Sequence, residues 1–194
     1  MSSINFTRLP KNVLPVNYAL ELQPDIAKFT FKGRAVIDVN VQAETNTIQL
    51  NSAELSFDKA TFENVNGAKI ESKNVQLCEE SEVATITFDQ TLKIGKGKLH
   101  IDFTGILNDK LKGFYRSKYV HPSGETRYAA TTQFEAADAR RAFPCWDEPA
   151  LKATFEVTII AESDKTVLSN MVSAMCYLIS LCLLLSKIFL FVLI

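Results

Sequence analysis

The sequence is poor in the side chains from which hydrolytic and metal centres are built. Only two histidines, His100 and His121, occur in 194 residues. A catalytic zinc needs at least three protein ligands and an open position, commonly including two histidines one helical turn apart. No HExxH is present. His100 sits inside an alternating run and His121 opens a turn, so neither is expected to bind metal. The four cysteines, Cys78, Cys145, Cys176 and Cys182, form no CxxC pair, which excludes a zinc ribbon and a regular disulfide framework. Free thiols of a reducing compartment fit better. A basic excess is missing too: the formal net charge is -1, which leaves nothing to neutralise phosphates and excludes nucleic acid as a partner. There is no G-x-S-x-G elbow, and the GKGK run at residues 95–98 lacks the strand-loop-helix frame of a P-loop. Nor does MSSINFTRLPKNVLP contain the apolar centre of a secretory signal. Synthesis in the cytosol and no autonomous catalysis are the expectations.

What the chain does contain is divided sharply in two. Of the 21 basic and 22 acidic side chains, only Lys187 follows Asn170. Residues 1–170 read as a β domain and 171–194 as a separate hydrophobic segment. Alternating runs recur at Tyr18 to Gln23, Arg34 to Gln42, Thr47 to Asn51, Val83 to Phe88 and Leu99 to Thr104. In the second of these, Ala35, Ile37, Val39 and Val41 fall on one face while Asp38, Asn40 and Gln42 fall on the other. That period of two marks a half-buried strand. Turn residues stand between the runs at Asn64 to Gly67, at Gly95-Lys96-Gly97 and at Pro122-Ser123-Gly124, the last predicting a hairpin. The expectation is an all-β domain of roughly ten short strands, mostly antiparallel.

The segment TTQFEAADARRAFPCWDEP, Thr131 to Pro149, concentrates the chemistry. In strand geometry Thr131, Gln133 and Glu135 share one side, and Thr132 and Phe134 the other. An amide and a carboxylate two residues apart suit a ligand with a protonated amine, such as a free peptide α-amino group. The competing reading is that Glu135 pairs with Arg140 or Arg141 and that Gln133 caps a backbone group. Ala136 to Ala142 is expected as one or two helical turns, Cys145 as a packed small residue, and Asp147 and Glu148 as turn residues ahead of a strand over Ala153 to Ile160.

At this point the chain resembles a known family. TTQFEAADARRAFPCWDEPALKATFEVTI, together with RLPKNVLPVNYALELQPD, FKGRAVIDV, KGFYRSKY and the TVLSNM of residues 166–171, is similar to the N-terminal domain of zinc aminopeptidases of the aminopeptidase N family, and most like its puromycin-sensitive branch. The likeness runs from Phe6 to Met171. It implies a saddle-like antiparallel β domain closing one side of a thermolysin-like active site. It also implies that Gln133 and Glu135 hold the α-amine of peptides with free N-termini. The family's zinc lies in the following domain, in HExxH with a distant Glu beside a GxMEN motif, and this chain has positions for none of them. No cofactor is therefore expected here, although zinc serves full-length members. The family pattern stops just after Met171, so the chain looks like a shortened member.

The last segment, MVSAMCYLISLCLLLSKIFLFVLI, is 24 residues long. As one helix it would span about 36 Å, enough for a bilayer core. Its Leu, Ile, Phe and Val residues favour insertion by about 4 to 8 kcal/mol against at most about 3 kcal/mol for Lys187. A tail-anchored protein with residues 1–170 in the cytosol is one expectation, and an accidental apolar extension is the other. For function, the leading expectation is a non-catalytic, peptide-amine-binding β domain. The alternatives are one part of an active aminopeptidase completed by a catalytic domain on another chain, and an interaction module that regulates full-length relatives.

Overall fold

The computed structural model describes residues 8–170 and 189–192. Within them the chain forms twelve strands and no α-helix. In order they are β1 (Val13–Asp25), β2 (Thr30–Val41), β3 (Thr45–Asn51), β4 (Leu55–Asn64), β5 (Lys69–Cys78), β6 (Val83–Leu92), β7 (Gly95–Ile106), β8 (Gly113–Val120), β9 (Thr126–Gln133), β10 (Thr154–Ile159), β11 (Thr166–Ser169) and β12 (Phe189–Val192). Eight pair in the order β10-β1-β2-β7-β4-β5-β6-β3, and four in the order β11-β12-β9-β8. Pairing is antiparallel except between β1 and β10, β11 and β12, and β12 and β9. The domain is thus all-β, a curled and mainly antiparallel structure.

Alternation dictates which face is buried. Ala35, Ile37, Val39 and Val41 of β2 are at most 1% exposed, and they join Tyr18, Leu20 and Leu22 of β1 and Leu99, Ile101 and Phe103 of β7 in one core. Two glycines let the aromatic part of this core close. Gly33 of β2 is in register with Phe103 of β7, and Phe31 of β2 with Gly105 of β7. A Cβ on either glycine would fall inside the facing phenylalanine ring. The rings therefore lie over bare backbone, and Phe31 meets Phe103 edge-on at 6.4 Å and Phe114 at 5.1 Å.

Three features depart from the sequence reading. Gly95-Lys96-Gly97, expected as a turn, opens β7 instead. The Phe62 ring fills the space beside Gly97 where a Cβ would stand, so that glycine is required for packing within the sheet. β4 and β5 were not legible, because β-bulges between Phe57 and Lys59 and between Ser72 and Asn74 reset their alternation. In the hydrophobic segment, Phe189–Val192 is a strand, where one helix over 171–194 was expected. The other residues of that segment lie outside the described ones. Among the described residues no helix is long and apolar enough to cross a membrane.

The hairpin expected at Pro122 to Gly124 is present. Gly124 takes φ +85° and donates to the His121 carbonyl at 2.8 Å. β8 and β9 pair from Val120↔Thr126 back to Gly113↔Gln133, which fixes the height at which Gln133 emerges.

The glycine–phenylalanine register supplies a direct test. Gly33→Ala is expected to lower unfolding stability by about 1–3 kcal/mol through overpacking. Phe103→Leu in the same chain should recover part of that loss. Urea unfolding of the two single variants and the double variant measures the coupling.

Candidate functional site

The segment after β9 is built into the structure by aromatic packing, a backbone bridge and an ion-pair cluster. Thr132 is 3% exposed and points inward. Phe134 packs edge-on against Phe143 at 5.7 Å. Residues 135–138 form a turn closed by the Asp138 N–H on the Phe134 carbonyl at 2.9 Å, and the Glu135–Ala136 peptide is cis. A single 3-10 turn, Ala139–Arg141, follows.

Beyond it the chain runs through the core. Tyr18 of β1 is the organising side chain there. Its ring stacks on Phe155 at 4.7 Å with planes 5° apart, its edge meets Phe143 at 6.1 Å, and its hydroxyl accepts the Trp146 N–H at 3.1 Å. Burial pushes the Tyr18 phenol far above its ordinary range, so it stays protonated at any pH the fold meets. Cys145 bridges Asn51 through two backbone hydrogen bonds, of 2.7 and 3.1 Å. The Asn51 side-chain carbonyl also accepts the Asp147 N–H at 3.1 Å. Burial first, and the nearby Asp147 carboxylate second, push the Cys145 thiol well up. It is a packing group.

Arg140 and Arg141 carry the electrostatics. Arg140 Nε donates to Asp147 at 2.8 Å and Nη1 to Glu82 at 3.1 Å. Arg141 donates from Nε to Asp138 at 2.9 Å, from Nη1 to Glu54 at 2.9 Å and from Nη2 to Glu82 at 2.5 Å. Glu148 accepts the Leu9 N–H at 2.7 Å and pairs with Arg8 at 3.3 Å. Asp147 and Glu148 are therefore structural groups.

Both arginines are thus spoken for, and not by Glu135. Gln133 and Glu135 are both exposed. Among the described residues neither makes an ion pair or a side-chain hydrogen bond. The alternation expected through this stretch places Gln133 and Glu135 outward, with Thr132 buried and Phe134 half-buried between them. Only the strand geometry ends earlier, at Gln133. Glu54, Glu82 and Asn51 escaped the sequence reading because their partners lie far along the chain, and no local pattern marks such pairs.

The two histidines lie apart, each beside a different partner. His100 Nε2 lies 3.1 Å from Glu63 on the large sheet, and His121 Nδ1 lies 2.8 Å from Ser123 at the hairpin tip. No cluster of three or more His, Cys, Asp or Glu donors could hold a metal among the described residues. A groove of about 820 Å³ opens between the β1–β2 turn, Tyr128 and Ala130 of β9, and the stretch from Ile160 to Val167. It is lined by neither Gln133 nor Glu135.

The two described thiols should differ in reactivity. Cys78 is exposed, and hydrogen bonds from Ser81 hold its pKa below the ordinary thiol value, so its thiolate fraction at neutral pH is raised. Iodoacetamide at pH 7 is expected to alkylate Cys78 readily and Cys145 only on unfolding. Peptide mass spectrometry against time checks it.

Comparison with known proteins closes the question of family. Residues 14–177 match the sequence profile of the Peptidase M1 N-terminal domain. The chain is 50% identical over 166 residues to Aminopeptidase M1-B of Oryza sativa subsp. japonica, a match covering 84% of this chain and 18% of that protein. It is 48% identical over 167 residues to Aminopeptidase M1 of Arabidopsis thaliana, covering 84% of this chain and 19% of that protein. To the Alanine/arginine aminopeptidase of Saccharomyces cerevisiae it is 48% identical over 168 residues, again covering 84% of this chain and 19% of that protein. The chain spans about a fifth of the length of these relatives. On this match, the all-β architecture and the resemblance already visible in the TTQFEAADARRAFPCWDEP segment, the chain belongs to the Peptidase M1 N-terminal domain family.

Proposed function

We propose that this chain is a peptide-amine-binding β domain of the aminopeptidase type, with Gln133 and Glu135 as the groups that receive the α-amine. One observation carries the reading. In a segment crowded with charge, every other ionisable side chain from Asp138 to Glu148 is engaged except the packed Cys145 thiol, and the outward carboxylate of Glu135 and amide of Gln133 are left over. A protonated α-amine offers three donors. Both acceptors take it with charge-assisted hydrogen bonds, the carboxylate adding the attraction of opposite charges. Acetylating the amine removes its charge and two of its donors.

On this reading the chain binds and orients but does not cleave. Zinc, the general base and the groups that stabilise the transition state come from a catalytic domain that these residues do not provide. The relatives are aminopeptidases by name, and peptides with free N-termini are the ligand class that follows for this chain.

The test is a titration of the purified chain with L-leucinamide and with N-acetyl-L-leucinamide, read by amide NMR shifts, beside a hydrolysis assay with an aminoacyl p-nitroanilide and added zinc. Shifts centred on residues 133–135 with the free amine only, and no hydrolysis, are expected. Equal response to the acetylated compound would sink the amine site. Chelator-sensitive hydrolysis by the chain alone would overturn the non-catalytic assignment.

A further inference from the structure

The turn that carries Glu135 is closed by residues other than Glu135. Asp138, three residues later, closes the turn on the Phe134 carbonyl, and the Asp138 carboxylate is in turn bound by Arg141 Nε at 2.9 Å. The other two nitrogens of that guanidinium reach Glu54 and Glu82, one in the turn before β4 and one in the turn before β6. Glu54 and Glu82 both adopt left-handed backbone conformations, with φ of +58° and +53°, and so present their side chains from tight turns. From β8 the small sheet closes on the chain at Asp138 and Arg141. Gly113, in register with Gln133, has φ +67°, and a Cβ there would lie 2.5 Å from Arg141 Cβ and 3.1 Å from the Asp138 carbonyl oxygen.

We propose that Arg141 is a positioning residue for the amine site: through Asp138 it fixes the Glu135 turn at the end of β9, so that the Glu135 carboxylate and the Gln133 amide face the same ligand atom. The inference rests on the amine-binding reading above. Arginine is the side chain this task requires, because its planar fork sends N–H groups in three fixed directions at once. A lysine keeps the charge but has no such fork. The cluster also settles where charge is available. Glu54 is shared with Lys110 at 3.2 Å and Glu82 with Arg140 at 3.1 Å. Every carboxylate around Arg141 thus has a cationic partner, and among the described residues Glu135 has none.

The experiment uses the full 194-residue chain, labelled with nitrogen-15 and titrated with L-leucinamide and N-acetyl-L-leucinamide, with thermal unfolding measured on every variant. Glu135→Gln tests the underlying reading, and Arg141→Lys and Asp138→Ala test the positioning. A displacement of about 1 Å is enough to lose a productive geometry. Both positioning variants are therefore expected to weaken leucinamide binding about two- to fivefold and to abolish the ligand response of the Gln133 side-chain amide signal. Binding and that signal unchanged, with only the melting temperature lowered, would make Arg141 a purely structural tie and overturn the inference. Should Arg141→Lys fail to fold, Asp138→Ala decides, because it leaves the bonds from Arg141 to Glu54 and Glu82 in place. A wild-type chain that binds the acetylated compound as well as the free amine fails at the earlier step, before any variant is compared.

Discussion

Two adjacent guanidiniums, Arg140 and Arg141, meet the carboxylates of Glu54, Glu82, Asp138 and Asp147 in one cluster that ties the end of the small sheet to the large one. Taking such charges out of water is expensive unless each finds a partner with good geometry. Here each nitrogen used has one. The Arg140 side chain is only 12% exposed, which strengthens its pairs, and the aromatic group of Tyr18, Phe143 and Phe155 packs along the same segment. The polar cluster and the apolar core are two halves of one joint, and the segment from Phe134 to Trp146 passes through both.

That joint depends on the topology around it. β10 returns beside β1 in parallel, bringing Phe155 into register with Tyr18. The segment is therefore bracketed, entering from the small sheet at Gln133 and leaving into the edge of the large sheet at Thr154. A stretch anchored at both ends by strands, and in the middle by the Asn51–Cys145 bridge, has little freedom left. The short turn at residues 135–138 carries Glu135, which the cluster does not use and which, unlike Glu148, has no other partner among the described residues.

Much of this was legible from sequence, for a physical reason that also sets the limit. Strands half-buried in a two-sided sheet must alternate, so β2, β3, β6 and β7 announce themselves. β4 and β5 were missed because an inserted residue within each throws the pattern out of phase, whereas the irregularities in β1 and β3 precede the runs that alternate. Gly97 was misplaced because a glycine under a phenylalanine ring and a glycine in a turn look alike along the chain. At the site, the exposure of Gln133 and Glu135 followed from spacing. The fate of the arginines did not, because Glu54 and Glu82 are nearly sixty residues or more away from them and only folding brings them together.

The exposure of Gln133 and Glu135 bears on how such a site would work. A carboxylate and an ammonium in contact with water gain about 0–1 kcal/mol from pairing, because solvent screens them and holding both side chains costs entropy. Two acceptors on an open surface thus set the direction of approach more than the strength of binding. The same pair becomes several times stronger when a second surface excludes water, since the effective dielectric falls. On the proposed reading, Arg141 and its carboxylates would hold the turn that carries Glu135 before any ligand arrives, which would lower the ordering cost of binding. The proposed α-amine site is consequently preorganised in shape yet weak in affinity on this chain. A facing domain would need to contribute desolvation, and need not contribute further acceptors.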